Sequence, residues 1–305
     1  MQLPNFFIIG APKCGTTALY HHLKQHPEIY MSPVKEPHFF TFEGEAPVFA
    51  GPGGGYFRRV AVSKPRNYLL LFANATDQRA IGEASPSYLR SPIAAVRIKR
   101  NTPDAKIIAI LRQPANRAYS QHQYMLFHGV EPAHDFSEAL TLENSRKCSN
   151  WSSTHYYREG GFYYSHLRRY FDLFPREHIR IYLYEDWNAS PHAVLQDLFR
   201  FLDVDENFAP ELLRSNVTLT PQNHRLHQLA NHPERIERLL ATVLPMSARS
   251  KIISGLQRLN RAYNLMPPPP IDPEVRRQLT DGYREDILKT QDLIGRDLSH
   301  WLQPK

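Results

Sequence analysis

The order of apolar and polar positions divides the chain into alternating extended and helical segments. Residues 5–10, Asn-Phe-Phe-Ile-Ile-Gly, form a short apolar run closed by glycine, which predicts a buried strand. Residues 16–26 follow with Leu19 and Leu23 one helical turn apart, and His26-Pro27 ends that helix. Residues 79–83 predict a second short strand. The clearest strand is 106–111, Lys-Ile-Ile-Ala-Ile-Leu, whose unbroken apolar run predicts burial on both faces. Pro114 opens a helix that reaches His128, where Gly129 stops it. Further helices are expected over 135–146 and 162–173, and a strand over 179–184. Over 191–202, Val194, Leu195, Leu198, Phe201 and Leu202 line one helical face. Strands alternating with helices predict an α/β, P-loop-like three-layer fold with a central, mostly parallel sheet flanked by helices.

Two stretches depart from this rhythm. Residues 43–66 are rich in Gly and Pro, including Gly51-Pro-Gly-Gly-Gly55, and read as a surface loop over a cleft. A variable loop is expected over 41–75, lining an acceptor cleft together with the C-terminal third. From 226 the pattern turns helical and basic, giving a helical C-terminal extension over 226–305. Within it Pro267 to Pro270 form a stiff linker before a last helix near 273–294, and Trp301 packs the tail back onto the body. No internal repeat is visible, and one domain is expected over 1–305.

Composition narrows the classes. The 305 residues are 42% hydrophobic and 22% charged, which supplies a core and excludes global disorder. No run approaches the ~18–20 apolar residues of a membrane span. Met1 to Gly10 has no basic region and only a four-residue apolar run, so no signal peptide and a cytoplasmic location are expected. Cys14 and Cys148 exclude a disulfide framework and a cysteine-rich zinc module; they fit a reducing compartment, although one bridge would also need two. Sequons start at Asn74, Asn150, Asn188 and Asn216 and carry little weight without a secretory signal. The net charge of 37 − 30 = +7 favours anionic partners such as phosphates, sulfates and acidic glycans. The basic residues are scattered, which disfavours a nucleic-acid-binding arm.

The first chemistry-bearing motif is Gly10-Ala-Pro-Lys13-Cys14-Gly15-Thr16-Thr17, after a strand and at the opening of a helix. Backbone N–H groups in such a loop point at an anion, and the helix N-terminus adds positive potential. Gly10, Gly15 and Thr17 fit the phosphate-loop pattern G-x-x-x-x-G-K-[ST], but Thr16 stands in the lysine position. The lysine lies three residues earlier, at Lys13, and reaches from the loop itself. That placement suits a short group attached at a 5′-phosphate. A plain glycine turn would match the pattern as well.

Phe7 to Thr17 resembles the 5′-phosphosulfate-binding loop of sulfotransferases that use 3′-phosphoadenosine 5′-phosphosulfate (PAPS). Leu19, His26-Pro27 and Lys35-Glu-Pro-His-Phe-Phe40 resemble the branch that includes heparan sulfate and bacterial sulfotransferases. The resemblance runs over residues 5–205. It implies that Lys13, Cys14, Gly15, Thr16 and Thr17 hold the 5′ end of the donor. It also implies that Arg112 and Ser120, in Leu111-Arg-Gln-Pro-Ala-Asn-Arg-Ala-Tyr-Ser120, grip the 3′-phosphate, consistent with the donor chemistry of guanidinium and hydroxyl. Arg117 reads equally as a third contact or a surface ion-pair partner. Arg158 to Leu167 resembles the family's Gly-aromatic segment near the active site, and Tyr163 and Tyr164 read equally as core aromatics. Asn223-His-Arg225 lies where the family closes a loop over the nucleotide.

Sulfuryl transfer needs a base on the acceptor side and a cation on the leaving side. Lys13 is the candidate cation. The resemblance implies Glu36 as the base, whereas the residue alone reads as an ion-pair partner of Lys35; His38 is the second candidate. Glu83-Ala84-Ser-Pro-Ser-Tyr88 departs from the Glu-Lys-Thr-Pro or Glu-Lys-Ser of the heparan sulfate branch, whose Lys sits at the reaction centre. Ala84 leaves that role vacant or passes it to another residue such as Lys35. Glu83 is expected to be catalytic support or a buried orienting group. The resemblance therefore implies PAPS as donor, adenosine 3′,5′-bisphosphate as product, no metal, and a carbohydrate or small-molecule hydroxyl or amine as acceptor. Two rivals stand beside it. One is a Mg²⁺-dependent P-loop kinase or NTPase, opposed by Thr16 and by the lack of a clear strand ending in Asp. The other is an inactive binding protein for acidic glycans, opposed by the intact Lys13, Arg112 and Ser120.

Overall fold

Five parallel strands form the centre of the computed structural model, which describes residues 3–44, 47–212, 219–231 and 245–303. They are β1 (Phe6–Gly10), β2 (Ile29–Met31), β3 (Ala80–Ala84), β4 (Lys106–Leu111) and β5 (Ile179–Leu183). Their spatial order is β2-β3-β1-β4-β5, with every pairing parallel. Around the sheet lie α1 (Thr16–Leu23), α2 (Ala94–Asn101), α3 (Pro114–Phe127), α4 (Tyr163–Phe171), α5 (Pro191–Phe201) and α6 (Pro273–Ile294). All five residues of β1 and of β3 are buried, which is the burial that a continuous apolar run requires of a strand inside a parallel sheet. Four strand predictions hold to within a residue. β2 has only three residues, too few to show a period, and escaped the sequence reading.

The stretch 41–75 is more ordered than its composition suggests. Helices form over Tyr56–Val60 and Pro65–Leu70, and Phe57, Tyr68 and Phe72 are buried. Tyr68 stacks on Phe39 with centroids 4.1 Å apart. An aromatic plug thus fixes this segment, and short helices stand where a loop was expected over 43–66: each is too short to reveal a 3.6-residue period. The helix expected over 135–146 is two, Phe136–Thr141 and Glu143–Cys148.

Within the C-terminal extension, residues 232–244 lie outside the described residues, as does the sequon at Asn216. Thr220–Pro221 and Leu265–Met266 form a two-stranded antiparallel ribbon that no sequence signal indicated. The proline tract then leads into α6, whose N-terminus is capped by Asp272, accepting from Glu274 N and Val275 N at 3.0 Å. Tyr283 on α6 donates to Arg158 O at 2.7 Å, and the Trp301 ring is buried against Tyr163 with centroids 6.1 Å apart. Gln113, at the end of β4, reaches Trp301 O at 3.2 Å. The tail is therefore bound to the same elements that hold the phosphate-loop region. Cys14 is buried and Cys148 exposed, and both are free thiols. Among the described residues no helix is long and apolar enough to cross a membrane.

Gly82 on β3 faces Phe6 on β1, and a Cβ at position 82 would lie 2.2 Å from Phe6 Cζ. Gly82→Ala is expected to cost about 3 kcal/mol of unfolding free energy by overpacking. Gly55, where a Cβ meets nothing closer than 3.7 Å, serves as control. Urea denaturation of the two variants measures the difference, and equal midpoints would contradict this packing.

Candidate active site

The carboxyl ends of β1, β3 and β4 lie side by side, so whatever follows each strand meets at one edge of the sheet. After β1 the loop 11–15 turns into α1. Lys13 adopts φ 68° and Gly15 φ 99°, and Gly15 occupies the N-cap of α1 in the left-handed conformation that glycine accepts without strain. The N–H groups of Thr16, Thr17 and Ala18 open the helix and find no backbone acceptor among the described residues. Lys13, Gly15, Thr16 and Thr17 line one cavity of about 460 Å³. Cys14 does not. Its side chain is buried, with Sγ 3.6 Å from Pro12 O and 3.9 Å from Tyr163 OH, and burial pushes the thiol up to about 11. The expectation that Cys14 helps hold the ligand is corrected in that its side chain faces the core and not the cavity.

After β4, Gln113 caps α3 by accepting from Asn116 N at 2.8 Å. The helix turns Arg117, Ser120, Gln121 and Tyr124 toward the cavity, and Arg112 enters it from the strand end. Positions 117, 120, 121 and 124 are one helical stripe. Arg112 lies over the Tyr184 ring at 4.7 Å and approaches Lys13 O at 3.5 Å, so the two segments that carry Lys13 and Arg112 touch. Arg117 is buried and donates to Tyr157 O, while its Nε has no partner. Among the described residues no carboxylate pairs with it, so the reading as an ion-pair partner is dropped. Tyr163 is a core aromatic, donating to Arg112 O at 2.8 Å.

After β2 and ahead of the helix Phe39–Phe42, Lys35, Glu36 and His38 line the cavity, joined by Tyr56 and Phe57. Glu36 and His38 have φ 61° and 55°, unusual for residues with a Cβ and held by the surroundings. Glu36 N donates to Ala84 O at 2.9 Å, so the end of β3 supports this segment directly. Lys35 Nζ donates to Glu36 Oε1. His38 Nε2 stands 3.7 Å from Glu36 Oε2 and has no hydrogen-bond partner, while Nδ1 contacts Ser87 Oγ at 2.7 Å. Burial lowers the His38 imidazole to about 4, with Glu36 opposing and Lys35 adding to the shift, so the ring is neutral at pH 7. Glu83, in contrast, is wholly buried and does not reach the cavity.

The cavity is strongly electropositive. Among the described residues, Lys13, Lys35, Arg90, Arg112 and Arg117 line it against the single carboxylate of Glu36. The nearby Glu143 and Glu159 are taken up by Lys147. Burial lowers the Lys13 ammonium to about 8, with Arg112 adding to the shift and Glu36 opposing it. Lys13 Nζ rests 4.0 Å from the centroid of the Tyr124 ring. Burial, helped by Arg117, brings Arg90 down to about 10. No sequence signal singles out Arg90, because no spaced motif surrounds it and its place depends on the turn after β3. Among the described residues no cluster of His, Cys, Asp and Glu could hold a metal ion, and no residue after Tyr184 lines the cavity. Among the described residues, then, none from the C-terminal third lines this cavity; Asn223 N donates to Asn264 Oδ1 at 2.6 Å, and the side chains of residues 224 and 225 lie outside the described residues.

Comparison with known proteins agrees with this arrangement. The profile of the sulfotransferase domain family matches residues 3–251. The bifunctional heparan sulfate N-deacetylase/N-sulfotransferase 2 of Bos taurus is 29% identical over 205 residues, covering 67% of this chain and 22% of that protein. Carbohydrate sulfotransferase 15 of Mus musculus is 28% identical over 247 residues, covering 66% of this chain and 44% of that protein. The chain thus spans less than half the length of these relatives. The crystal structure of a sulfotransferase from Alicyclobacillus acidocaldarius superposes with a TM-score of 0.76 at 31% identity, over 99% of this chain and 100% of that one. With its phosphate-loop variant, its electropositive cavity and its parallel sheet, the chain belongs to the sulfotransferase domain family.

Proposed function

We propose that this enzyme moves a sulfuryl group from PAPS to a hydroxyl or amine of a carbohydrate-type acceptor, releasing adenosine 3′,5′-bisphosphate. The observation that carries the reading is one cavity lined both by Lys13 and the residues that open α1 and by Arg112, Arg117 and Ser120. Such a site suits a ligand with phosphate at both ends. The unpartnered Arg117 Nε and the free first-turn N–H groups fit an anion. PAPS supplies the transferable sulfuryl group when bound.

The chain's residues then divide the work. Glu36 accepts the proton from the attacking oxygen or nitrogen as the new bond to sulfur forms. Lys13 and the α1 N–H groups stabilise the charge that gathers on the 5′-phosphate oxygen as its bond to sulfur breaks. Lys35, held on the Glu36 carboxylate, takes the place left vacant by Ala84. His38, neutral at pH 7 and with Nε2 unpartnered, is the second candidate for the base and otherwise offers Nε2 to the acceptor. Acceptors enter beside Tyr56 and Phe57, from a stretch whose residues 47–76 contain Arg58, Arg59, Lys64 and Arg66 and no Asp or Glu. That surface favours an acceptor that is itself an anion.

A kinase or NTPase reading has less support: Thr16 replaces the phosphate-loop lysine, and β4 ends in Leu111 followed by Arg112, where a metal-binding Asp would be needed. Adenosine 3′,5′-bisphosphate is expected to stabilise the protein in a thermal-shift titration by about 2.7 kcal/mol at 100 times its Kd, without added Mg²⁺. Larger stabilisation by ATP and Mg²⁺ would favour the kinase. Glu36→Gln is expected to lower turnover with labelled PAPS at least 100-fold while the affinity for the bisphosphate stays within twofold. A near-normal rate would remove Glu36 from the base role.

A further inference from the structure

One buried carboxylate has no part in the chemistry above. Glu83, the fourth residue of β3, has no exposed surface, and among the described residues no cation pairs with it. Three hydroxyls donate to it instead. Tyr68 and Tyr88 give Oε1 hydrogen bonds of 2.7 and 2.6 Å, and Ser85 gives Oε2 one of 2.7 Å. Two of those hydroxyls have a second engagement. Ser85 Oγ accepts from His38 N at 3.0 Å, and Tyr88 OH accepts from Phe40 N at 3.2 Å. These N–H groups belong to the start of the short helix Phe39–Phe42, whose N-cap residue His38 supplies no side-chain cap. They have no acceptor within their own segment, and hydroxyls from beyond β3 provide it.

We infer that Glu83 is a positioning residue: it orients the Ser85 and Tyr88 hydroxyls so that their oxygens face the His38 and Phe40 N–H groups, and thereby fixes the backbone that presents Glu36 and His38 to the cavity. The inference rests on the function proposed above for its catalytic meaning, but the hydrogen-bond chain stands apart from it. Each hydroxyl has one hydrogen. While the carboxylate takes that hydrogen, the oxygen lone pairs remain for the main chain. A wrong orientation of either hydroxyl would leave a buried N–H unpaired. The left-handed φ of Glu36 and His38 needs such an external hold.

The grip depends on the ionised carboxylate. A protonated carboxyl is itself a donor and cannot receive all three hydroxyl hydrogens. Burial raises Glu83 to about 7, partly offset by the hydrogen bonds from Tyr88, Ser85 and Tyr68. The groups facing it are those three hydroxyls, and both tyrosines are themselves held well above their ordinary range by burial and by Glu83, so they remain protonated. The hold is therefore expected to be complete well above pH 7 and to weaken as pH falls through about 7.

Amide hydrogen exchange followed by NMR on the full chain tests this without an acceptor. Glu83→Gln keeps the shape but presents one acceptor and one donor. It is expected to lower the protection factors of the His38 and Phe40 amides about tenfold, the scale of one hydrogen bond, and to leave β4 amides unchanged. Ser85→Ala is expected to expose the His38 amide alone and Tyr88→Phe the Phe40 amide alone, which keeps the test decisive if one variant folds poorly. In the parent protein the two protection factors are expected to fall between pH 8 and pH 6, and in Glu83→Gln to stay flat. Unchanged protection and an unchanged pH profile in Glu83→Gln would overturn the inference. Adenosine 3′,5′-bisphosphate binding, measured by calorimetry on the same samples, is expected to stay within twofold; its absence from the parent protein would refute the proposed function while leaving the amide result to stand.

Discussion

The parallel pairing of β1 between β3 and β4 is the constraint on which the site depends. Parallel strands end at the same edge, so three separate pieces of sequence are delivered there together. β1 delivers the loop with Lys13. β4 delivers Arg112 and the start of α3. β3 delivers Ala84, whose carbonyl holds Glu36 N, and Glu83 just behind it. A register slip in any one pair would turn a wholly buried strand and misplace a charged group at its end. Gly82 against Phe6 locks the β1–β3 register from within the sheet.

That geometry gathers charge at a cost. Among the described residues five cationic side chains line the cavity with one carboxylate, and the Lys13 ammonium is pushed down to about 8 by burial, with Arg112 adding to the shift. The C-terminal segments restrain the surrounding shell: Trp301 against Tyr163, its carbonyl held by Gln113, and Tyr283 holding Arg158 O. Repulsion between like charges is a reason for a binding site to exist, since an anion relieves it.

Much of this was legible in the sequence because it lay in strong local signals. The apolar runs 5–10 and 106–111, the Pro114 and Gly129 punctuation and the amphipathic 191–202 each carry their own evidence, and the observed elements follow them. The same holds for Lys13, Arg112 and Ser120, which sit in recognisable motifs and meet in one cavity. Other features lacked such signals. β2 is too short for periodicity, and the helices within 41–75 are masked by Gly and Pro, although Phe57, Tyr68 and Phe72 anchor them. Arg90 joins the cavity only because of how the chain turns after β3. Cys14 sits inside the motif yet faces the core, since successive loop residues point in different directions. The hub at Glu83 depends on contacts across 47 and 48 residues, which spacing along the chain cannot express.

The proposed division of the cavity into two anion-binding ends is tested most directly by calorimetry with two ligands and two variants. Adenosine 3′,5′-bisphosphate and adenosine 5′-monophosphate are titrated into the parent protein, Lys13→Ala and Arg112→Ala. The account predicts that Lys13→Ala weakens both ligands by similar factors, while Arg112→Ala weakens the bisphosphate at least tenfold and leaves the monophosphate within twofold. Equal losses for both ligands in Arg112→Ala would contradict the assignment of a separate 3′-phosphate end.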